Sequence, residues 1–239
     1  MNRLGLIITG IAIITTAPAE AKKLGKLIFE DDFEREESQE LKDEPGNDWT
    51  TSSERTAKGY KQVDLVDGVL HIWMHPEANH ATSVRHEMGF ENGAVEMRFK
   101  LPEKSDSLKL NFADMKLKSV WAGHLFDVTV HSKYVEFEDR KTGSMSMEIH
   151  NARKEKSLTK DQIEMLESKK KRFKHRIKTG VWHDLLVEIE EDLVIASVDG
   201  EEVGRFRSEG FAHEDKALLR LLVPGNIFID DVKVWRKRR

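Results

Sequence analysis

Residues 93–131 read GAVEMRFKLPEKSDSLKLNFADMKLKSVWAGHLFDVTVH and contain three runs in which apolar and polar side chains alternate. The runs cover residues 93–101, 107–113 and 124–131, and residues rich in Pro, Asp, Ser and Gly separate them. A period of two is typical of a strand with one buried face. This stretch therefore predicts three short strands joined by turns.

The same alternation continues along most of the chain. About a dozen short strands with turn signals between them predict an all-β sandwich or jelly roll. One segment, about 157–173, breaks the pattern, because Thr159 and Gln162 have the spacing of a capping box and predict a helical insertion. Residues 34–58 are charged and predict a loop. The further predicted strands are at residues 69–75, 80–88, 134–139, 144–150, 182–192, 193–200, 202–209, 216–224 and 227–235.

The composition excludes several classes of protein. The 239 residues are 38% hydrophobic and 34% charged, which is typical of a globular chain with a wet surface. There is no cysteine, and this excludes a disulfide framework, a thiolate nucleophile and a zinc ribbon. The formal net charge of −4 gives no reason to expect a nucleic-acid partner.

The N-terminal residues have the layout of a secretory signal peptide. Arg3 precedes an apolar run that extends to about residue 16, and Ala19 and Ala21 frame a small-x-small cleavage site. The apolar run is shorter than the ~20 residues that span a bilayer, so no membrane span is expected. We expect cleavage after Ala21, a secreted or periplasmic protein, and a single β-sandwich domain over residues 22–239.

Four histidines lie within residues 71–86, and a metal site is the first hypothesis to test. His71 and His75 have the i, i+4 spacing of zinc ligands on a helix. On a strand their Cα atoms are about 13 Å apart, and Pro76 disfavours a helix. The pair alone therefore predicts no metal site. Trp73, between them, is either covered by another segment or a stacking platform for a sugar.

Outward polar residues on the predicted central strands indicate a groove for a polyhydroxylated ligand. Arg, Asn, Asp and His offer the planar donors and acceptors that pairs of hydroxyls require. The alternative is the ordinary wet face of an antiparallel sheet. Histidine titrates near neutral pH and suits proton transfer. The candidate substrate-binding residues are Trp73, His75, Arg85, Asn111, Asp114 and Asp127, and the candidate catalytic residues are His80, His86, His124 and His131.

Two pairs of aspartates fall on predicted strands at the two ends of the domain, one pair on a first strand predicted at about residues 27–32 and the other on the last strand. If these strands pair, the four carboxylates could hold a structural Ca²⁺, although two consecutive aspartates also favour a turn or bulge. No other cofactor is expected, and the acidic runs at residues 135–139 and 187–192 are interpreted as surface charge. The calcium candidates are Asp31, Asp32, Asp230 and Asp231.

Three stretches, LIFEDDFER from residue 27, FENGAVEMRFKLPEKSDSLKLNFAD from residue 90 and LLRLLVPGNIFIDDVKVW from residue 218, resemble concanavalin A-like, laminin-G-type domains of exported bacterial proteins. Among these the chain is similar to the domain of unknown function 1080 group, also called the 3-keto-disaccharide hydrolase domain. The resemblance implies a two-sheet jelly roll that binds a saccharide on its concave sheet.

The resemblance leaves the activity open, because one fold serves many functions. We expect a glycan-directed protein, either a glycoside hydrolase or, less favoured, a polysaccharide lyase. The alternatives are a non-catalytic carbohydrate-binding module and a laminin-G-like interaction module. The oligomeric state stays open.

Overall fold

The structure is a computed structural model that describes residues 24–238; the predicted signal peptide, residues 1–21, lies outside the described residues. The described chain is mainly strands, with a few short helices. The strands are β1 Lys26–Asp31, β2 Thr50–Thr51, β3 Val63–Val66, β4 Val69–Trp73, β5 Thr82–Glu87, β6 Gly93–Lys100, β7 Ser107–Ala113, β8 His124–His131, β9 Tyr134–Asp139, β10 Lys170–Lys174, β11 His183–Glu190, β12 Leu193–Val198, β13 Glu201–Arg207, β14 Leu218–Val223 and β15 Asn226–Arg236.

The helices are α1 Ser53–Thr56, α2 Met147–Glu155 and α3 Lys160–Ser168. Short 3-10 turns occur at Trp121–Gly123 and Glu209–Phe211, and a π-type turn at Arg140–Ser144 follows β9 directly. In residues 24–238 no helix has both the length and the apolar character needed to cross a bilayer.

Two antiparallel sheets form the sandwich. Sheet A has the order β13-β12-β11-β6-β15-β4-β3, and β1 pairs with the second half of β15. Sheet B has the order β10-β9-β8-β7-β14-β5-β2. This arrangement confirms the predicted β-sandwich. Because β4 is in sheet A and β5 is in sheet B, the chain crosses between the sheets after residue 73, and these two consecutive strands are not neighbours.

The core lies between the sheets and follows the alternation in the sequence. In β6, Val95, Met97 and Phe99 face sheet B and are almost completely buried. Phe112 of β7 and Phe126 of β8 meet them from the other side and stack on each other, with ring centroids 4.5 Å apart. The residues between these positions consequently point outward from each sheet.

The helical insertion differs from the prediction at both ends. Residues 144–150 alternate like a strand, but Ser146 caps α2 by accepting a hydrogen bond from the backbone N–H of Ile149. The capping box of Thr159 and Gln162 begins α3 as predicted. The helix ends at Ser168, and the cationic residues that follow form the edge strand β10. Like-charged side chains are common on edge strands, where they discourage association.

Two further segments correct or sharpen the sequence reading. Residues 34–58, predicted as a loop, contain β2 and α1. On β15 the pairing with β6 shifts register between Asp230 and Lys233, and Asp231 has a φ of 50°. The double aspartate therefore forms a β-bulge, which was one of its two interpretations.

Candidate functional site

The outward face of sheet B carries one continuous row of polar side chains, a single residue from each of its seven strands. Each member is the cross-strand partner of the next. Three central members are nearly inaccessible: Asn111 is 0% exposed, Asp127 2% and Arg220 7%. We call this set the polar row: Lys170, Glu138, Asp127, Asn111, Arg220, Arg85 and Thr50.

Arg140 neutralises the acidic end of the polar row. Its Nη2 lies 2.7 Å from Asp127 Oδ2 and 3.2 Å from Glu138 Oε2, and its Nε donates to Asp127 Oδ2 at 2.8 Å. Lys109 Nζ is 3.1 Å from the same Asp127 oxygen. Burial alone would raise the pKa of Asp127, but attraction by Arg140 and Lys109 outweighs it and the pKa is lowered. Asp127 is therefore ionised and cannot serve as a proton donor near neutral pH.

The turn that carries Arg140 is held in place by the buried carboxylate of Asp139. This carboxylate accepts hydrogen bonds from the backbone N–H of Thr142 at 3.0 Å and from Thr142 Oγ1 at 2.6 Å. Ser208 Oγ and the backbone N–H of Gly210 donate to it from the 3-10 turn far along the chain, at 2.5 and 3.0 Å. Arg140 is thus positioned by contacts that are remote in sequence.

Hydrogen bonds connect the middle of the polar row to its basic end. Asn111 Nδ2 donates to Asp127 Oδ1 at 2.6 Å, and Arg220 Nη1 donates to Asn111 Oδ1 at 3.1 Å. Arg220 Nη2 donates to the carbonyl of Ala122 at 2.9 Å and lies 2.8 Å from Met115 Sδ. The amide of Asn111 is therefore fixed in orientation, since each end of it has a charged partner.

His124 lies beside Arg220 at the border of the polar row, with its Nδ1 3.4 Å from Arg220 Nη1. Burial, and then repulsion by Arg220, lower the pKa of His124 to about 4. His124 is accordingly neutral at pH 7.

We expect His124 to make the fold sensitive to mild acid. The folded-state pKa of about 4 lies below the ordinary histidine pKa of 6.5, so the unfolded chain binds a proton first as the pH falls. The contribution of neutral His124 to the free energy of unfolding is fully present above pH 6.5. It decreases towards pH 4, by about 2–3 kcal/mol between pH 7 and 4.5. Denaturant unfolding of the wild type and of His124→Gln at both pH values measures this. The variant should show the smaller decrease, the exposed His80→Gln should behave as wild type, and equal decreases in all three would contradict the assignment.

An exposed aromatic rim flanks the basic end of the polar row. Trp121 is 50% exposed, and its ring stacks on His150 of α2 at 4.4 Å with an interplanar angle of 8°. Met115, 53% exposed, lies on the same border, because both it and Ala122, the residue after Trp121, contact Arg220. We call Trp121, His150 and Met115 the aromatic rim.

A depression of about 370 Å³ opens on the same face, beyond Lys109. Its volume is within the range of small-ligand sites. His131 and Tyr134 contribute rings 4.3 Å apart. Burial lowers the pKa of His131. The polar side chains at its wall are Ser107, Lys109, Thr129, His131, Tyr134, Glu136 and Arg172.

Several of the predicted site residues share this face. Arg85, Asn111 and Asp127 belong to the polar row, and His131 lines the depression. His124 borders the row. Asp114, at the end of β7, accepts a hydrogen bond from His213 at 3.1 Å when that histidine is protonated at Nε2.

The other predicted site residues lie elsewhere. Trp73 is on the outward face of sheet A, against His71, with ring centroids 4.8 Å apart. His75 follows the same strand and stacks on Tyr60 at 4.3 Å. His86 points between the sheets and stacks on Phe29 at 3.7 Å. His80 is exposed in the crossover after β4, bound to Asn79. Trp73 and Arg85, both predicted to bind substrate, therefore lie on opposite sheets and cannot share one groove, and the predicted catalytic residue His86 packs between the sheets.

The aspartates predicted for calcium meet where β1 pairs with β15, and Asp31, Asp32 and Asp231 line one depression of about 400 Å³. Both oxygens of Asp31 are already bound, to Arg35 at 2.6 and 3.0 Å and to Trp49 Nε1 at 2.7 Å. Asp230 accepts from Arg98 at 3.0 Å. Guanidinium groups thus supply cations to both pairs, and a calcium ion here stays a prediction.

Comparison of the sequence with protein-family models and with curated proteins gives no match. Solved structures do match. The laminarinase from Rhodothermus marinus superposes with a TM-score of 0.61 at 13% identity, over 90% of this chain and 98% of that one. A non-specific endo-β-1,3(4)-glucanase of glycoside hydrolase family 16 superposes with a TM-score of 0.57 at 15% identity, over 89% and 91%.

The carbohydrate-binding module CBM66 from Bacillus subtilis also superposes, with a TM-score of 0.51 at 10% identity, over 77% of this chain and 93% of that one. The protein has the jelly-roll fold of these structures. At sequence identities of 10–15% the similarity establishes the fold alone, because one fold supports many activities.

Four residues of this jelly roll's site were not singled out from the sequence. Arg220 stands alone in the apolar run LLRLLV, and Trp121 occupies a Trp-Ala-Gly turn between two strands. Both are local signals that could have been used. Glu138 and Arg140 were hidden in an acidic run and a turn that resemble ordinary surface. Arg220 and Glu138 are two of the charged members of the polar row. Arg140 is the cation that neutralises its acidic end, and Trp121 is part of the aromatic rim.

Proposed function

We propose that the protein binds a saccharide across the outward face of sheet B, between the aromatic rim and the depression. The observation that carries the proposal is the border between an exposed stacked tryptophan, Trp121, and a row of fixed planar polar groups. A sugar ring has an apolar face, which an indole can cover, and hydroxyl groups at its edge. Arg220 offers guanidinium donors for such hydroxyls, and Asn111 holds that guanidinium in its orientation.

Solved structures with a similar fold also support a role in carbohydrate binding. The laminarinase, the glucanase and the carbohydrate-binding module named above are, by their names, proteins that act on or bind carbohydrates. We extend this to the present chain as a glycan-directed role, and we propose, from the leader-like residues 1–21, that it acts in the periplasm or outside the cell. We propose no required cofactor; a structural calcium at the β1–β15 junction would be compatible with the role.

Hydrolysis is the second candidate, and one contact favours it. Asp127 and Glu138 face each other across β8 and β9, and both reach Arg140. Glycosidases use two carboxyl groups, one ionised and one acting as an acid. The ionised Asp127 suits the first role, Glu138 is the second carboxyl group of the pair, and His124 and His131 are the alternative proton carriers. Together with the resemblance to the 3-keto-disaccharide hydrolase group, this makes a hydrolase the more specific form of the proposal.

A glycan array combined with product analysis tests both forms. The wild type and Glu138→Gln are assayed for binding to neutral and charged oligosaccharides and for release of sugar from 3-keto-disaccharides. Turnover that disappears in Glu138→Gln while binding persists supports a hydrolase. Binding without turnover supports a binding module. No binding to any glycan would reject the proposal in both forms.

A further inference from the structure

Two arginines of the polar row carry charges that the protein itself does not neutralise. Arg85 and Arg220 face each other across β5 and β14. Among residues 24–238, five arginines are not exposed, and only these two form no ion pair with a carboxylate. The five are Arg35, Arg85, Arg98, Arg140 and Arg220.

The hydrogen bonds of these two arginines lead only to neutral groups. Arg85 donates from Nε to Ser83 Oγ at 2.9 Å, and its two Nη groups have no hydrogen-bond partner within residues 24–238. Arg220 donates to the amide of Asn111 and to the carbonyl of Ala122. The terminal nitrogens of Arg85 therefore remain free to bind a ligand in the bidentate way that guanidinium groups bind oxyanions.

Nearby charges add to the positive charge of Arg85 and Arg220 that no carboxylate neutralises. Burial, and then repulsion by Arg55 of α1, lower the pKa of Arg85. Burial, and then repulsion by Arg85, lower the pKa of Arg220 to about 10, with Asp127 acting in the opposite sense. Glu87 lies two residues beyond Arg85 on the same strand but forms no ion pair among the described residues. Like charges placed directly opposite on a sheet are destabilising, so this arrangement costs stability in the free protein.

We infer that Arg85 and Arg220, with Arg55 beside them, bind an oxyanion substituent of a saccharide, either a carboxylate or a sulfate ester. The inference rests on the proposed saccharide binding and narrows it to anionic glycans. Met115 and the carbonyl of Ala122, the residue after Trp121, contact the guanidinium of Arg220, so a ring stacked on the rim would bring its charged substituent to the arginine pair. The net charge of −4 for the whole chain disfavours a nucleic acid as the source of the oxyanion.

Calorimetric titration with matched tetrasaccharides tests this. The ligands are a neutral β-glucan tetramer, a tetrauronate, a sulfated tetramer and, as a phosphate-bearing control, a short oligothymidine. We expect the wild type to bind one of the anionic sugars about 10- to 100-fold more tightly than the neutral one, and Arg85→Gln to lose most of that preference, because it loses more affinity for the anionic sugar than for the neutral one. The uronate and sulfate arms identify which oxyanion is bound.

The matched control is Arg236→Gln, which removes an exposed arginine of sheet A that forms no carboxylate ion pair among the described residues. It should keep the wild-type preference. A thermal melt adds a readout that separates binding from structure: Arg85→Gln should leave the Tm unchanged or raise it by up to about 3 °C, because a repulsion is removed.

Other results would contradict the anionic preference, saccharide binding or both. Equal affinity of the wild type for neutral and anionic sugars overturns the inference and leaves saccharide binding standing. Absence of binding to every sugar overturns both. Tighter binding of oligothymidine than of either anionic sugar overturns the saccharide assignment. A large loss of Tm in Arg85→Gln, with the anionic preference intact, would show that Arg85 is a structural residue only.

Discussion

Replacing Arg140 with alanine is expected to lower the free energy of unfolding by about 3 kcal/mol at pH 7. Removing one partner of a buried ion pair leaves the other charge desolvated, and such losses are typically about 3–5 kcal/mol. Asp127 is only 2% exposed and would lose its closest cation. Lys109 remains 3.1 Å away, which places the expected loss at the lower end of the range. Denaturant unfolding measures the difference.

The loss in free energy of unfolding caused by Arg140→Ala should be smaller at acidic pH. In the wild type the pKa of Asp127 is lowered on folding, so its stabilising contribution is present above the ordinary aspartate pKa of 3.8 and is lost as the pH falls through the folded pKa. In the variant the carboxyl is buried without that cation, and protonation relieves the penalty. The gap between the two proteins should therefore be largest at neutral pH and narrow below about pH 4.

A surface ion pair provides the control for this prediction. Arg205, exposed on β13, is paired with Glu202, and Arg205→Ala should leave the free energy of unfolding close to that of the wild type, because solvent screens an exposed ion pair. Adding Asp127→Asn to Arg140→Ala should recover part of the loss, because the unpaired charge disappears. A loss below about 1 kcal/mol in Arg140→Ala itself would show that the buried carboxylates are stabilised by other groups.

Replacing Trp121 with alanine is expected to weaken saccharide binding by about 10- to 100-fold. Covering a large apolar side chain is worth about 1.5–3 kcal/mol, and each 1.4 kcal/mol changes affinity tenfold. Because Trp121 is 50% exposed, the folded state depends little on it, and the Tm should change only slightly. Titration with the tightest-binding oligosaccharide of the array gives the affinity.

Tyr60 is a close structural control for Trp121. It is also 50% exposed and stacks on a histidine, His75, at 4.3 Å with an interplanar angle of 11°. Within the described residues it has no hydrogen bond or ring contact with the polar row. Tyr60→Ala should therefore bind saccharide as the wild type does. Equal losses in the two variants, or none in Trp121→Ala, would remove the rim from the binding site.

The sequence predicted most of the strands and which way their side chains point, but it did not predict β2, β3 or β10. Residues 93–131 alternate strictly, and Asn111 and Asp127 point outward as their position in that alternation requires. Residues 144–150 alternate equally well, and yet helix α2 begins within them at Met147, because Ser146 caps its first turn. Local periodicity is thus reliable where several neighbouring runs repeat it.

Periodicity could not show which of the two outward faces a residue occupies. Trp73 and Arg85 both point away from the core, but they lie on opposite sheets, since the chain crosses over between them. Alternation fixes only inward or outward. The position of Arg140 also could not be predicted from the sequence. Asp139 holds its turn through contacts with Ser208 and Gly210, which are 69 and 71 residues away.

The helical insertion contributes almost nothing to the core and yet shapes the border of the site. Ile149 is the only buried residue in α2, and α3 has none within its described span. His150 nevertheless supports Trp121. Selection can therefore change the length and sequence of this segment without endangering the sandwich, provided that Asp139 and Arg140 are kept. Related chains are expected to diverge fastest here, and new ligand preferences to arise by exchange of this segment on an unchanged scaffold.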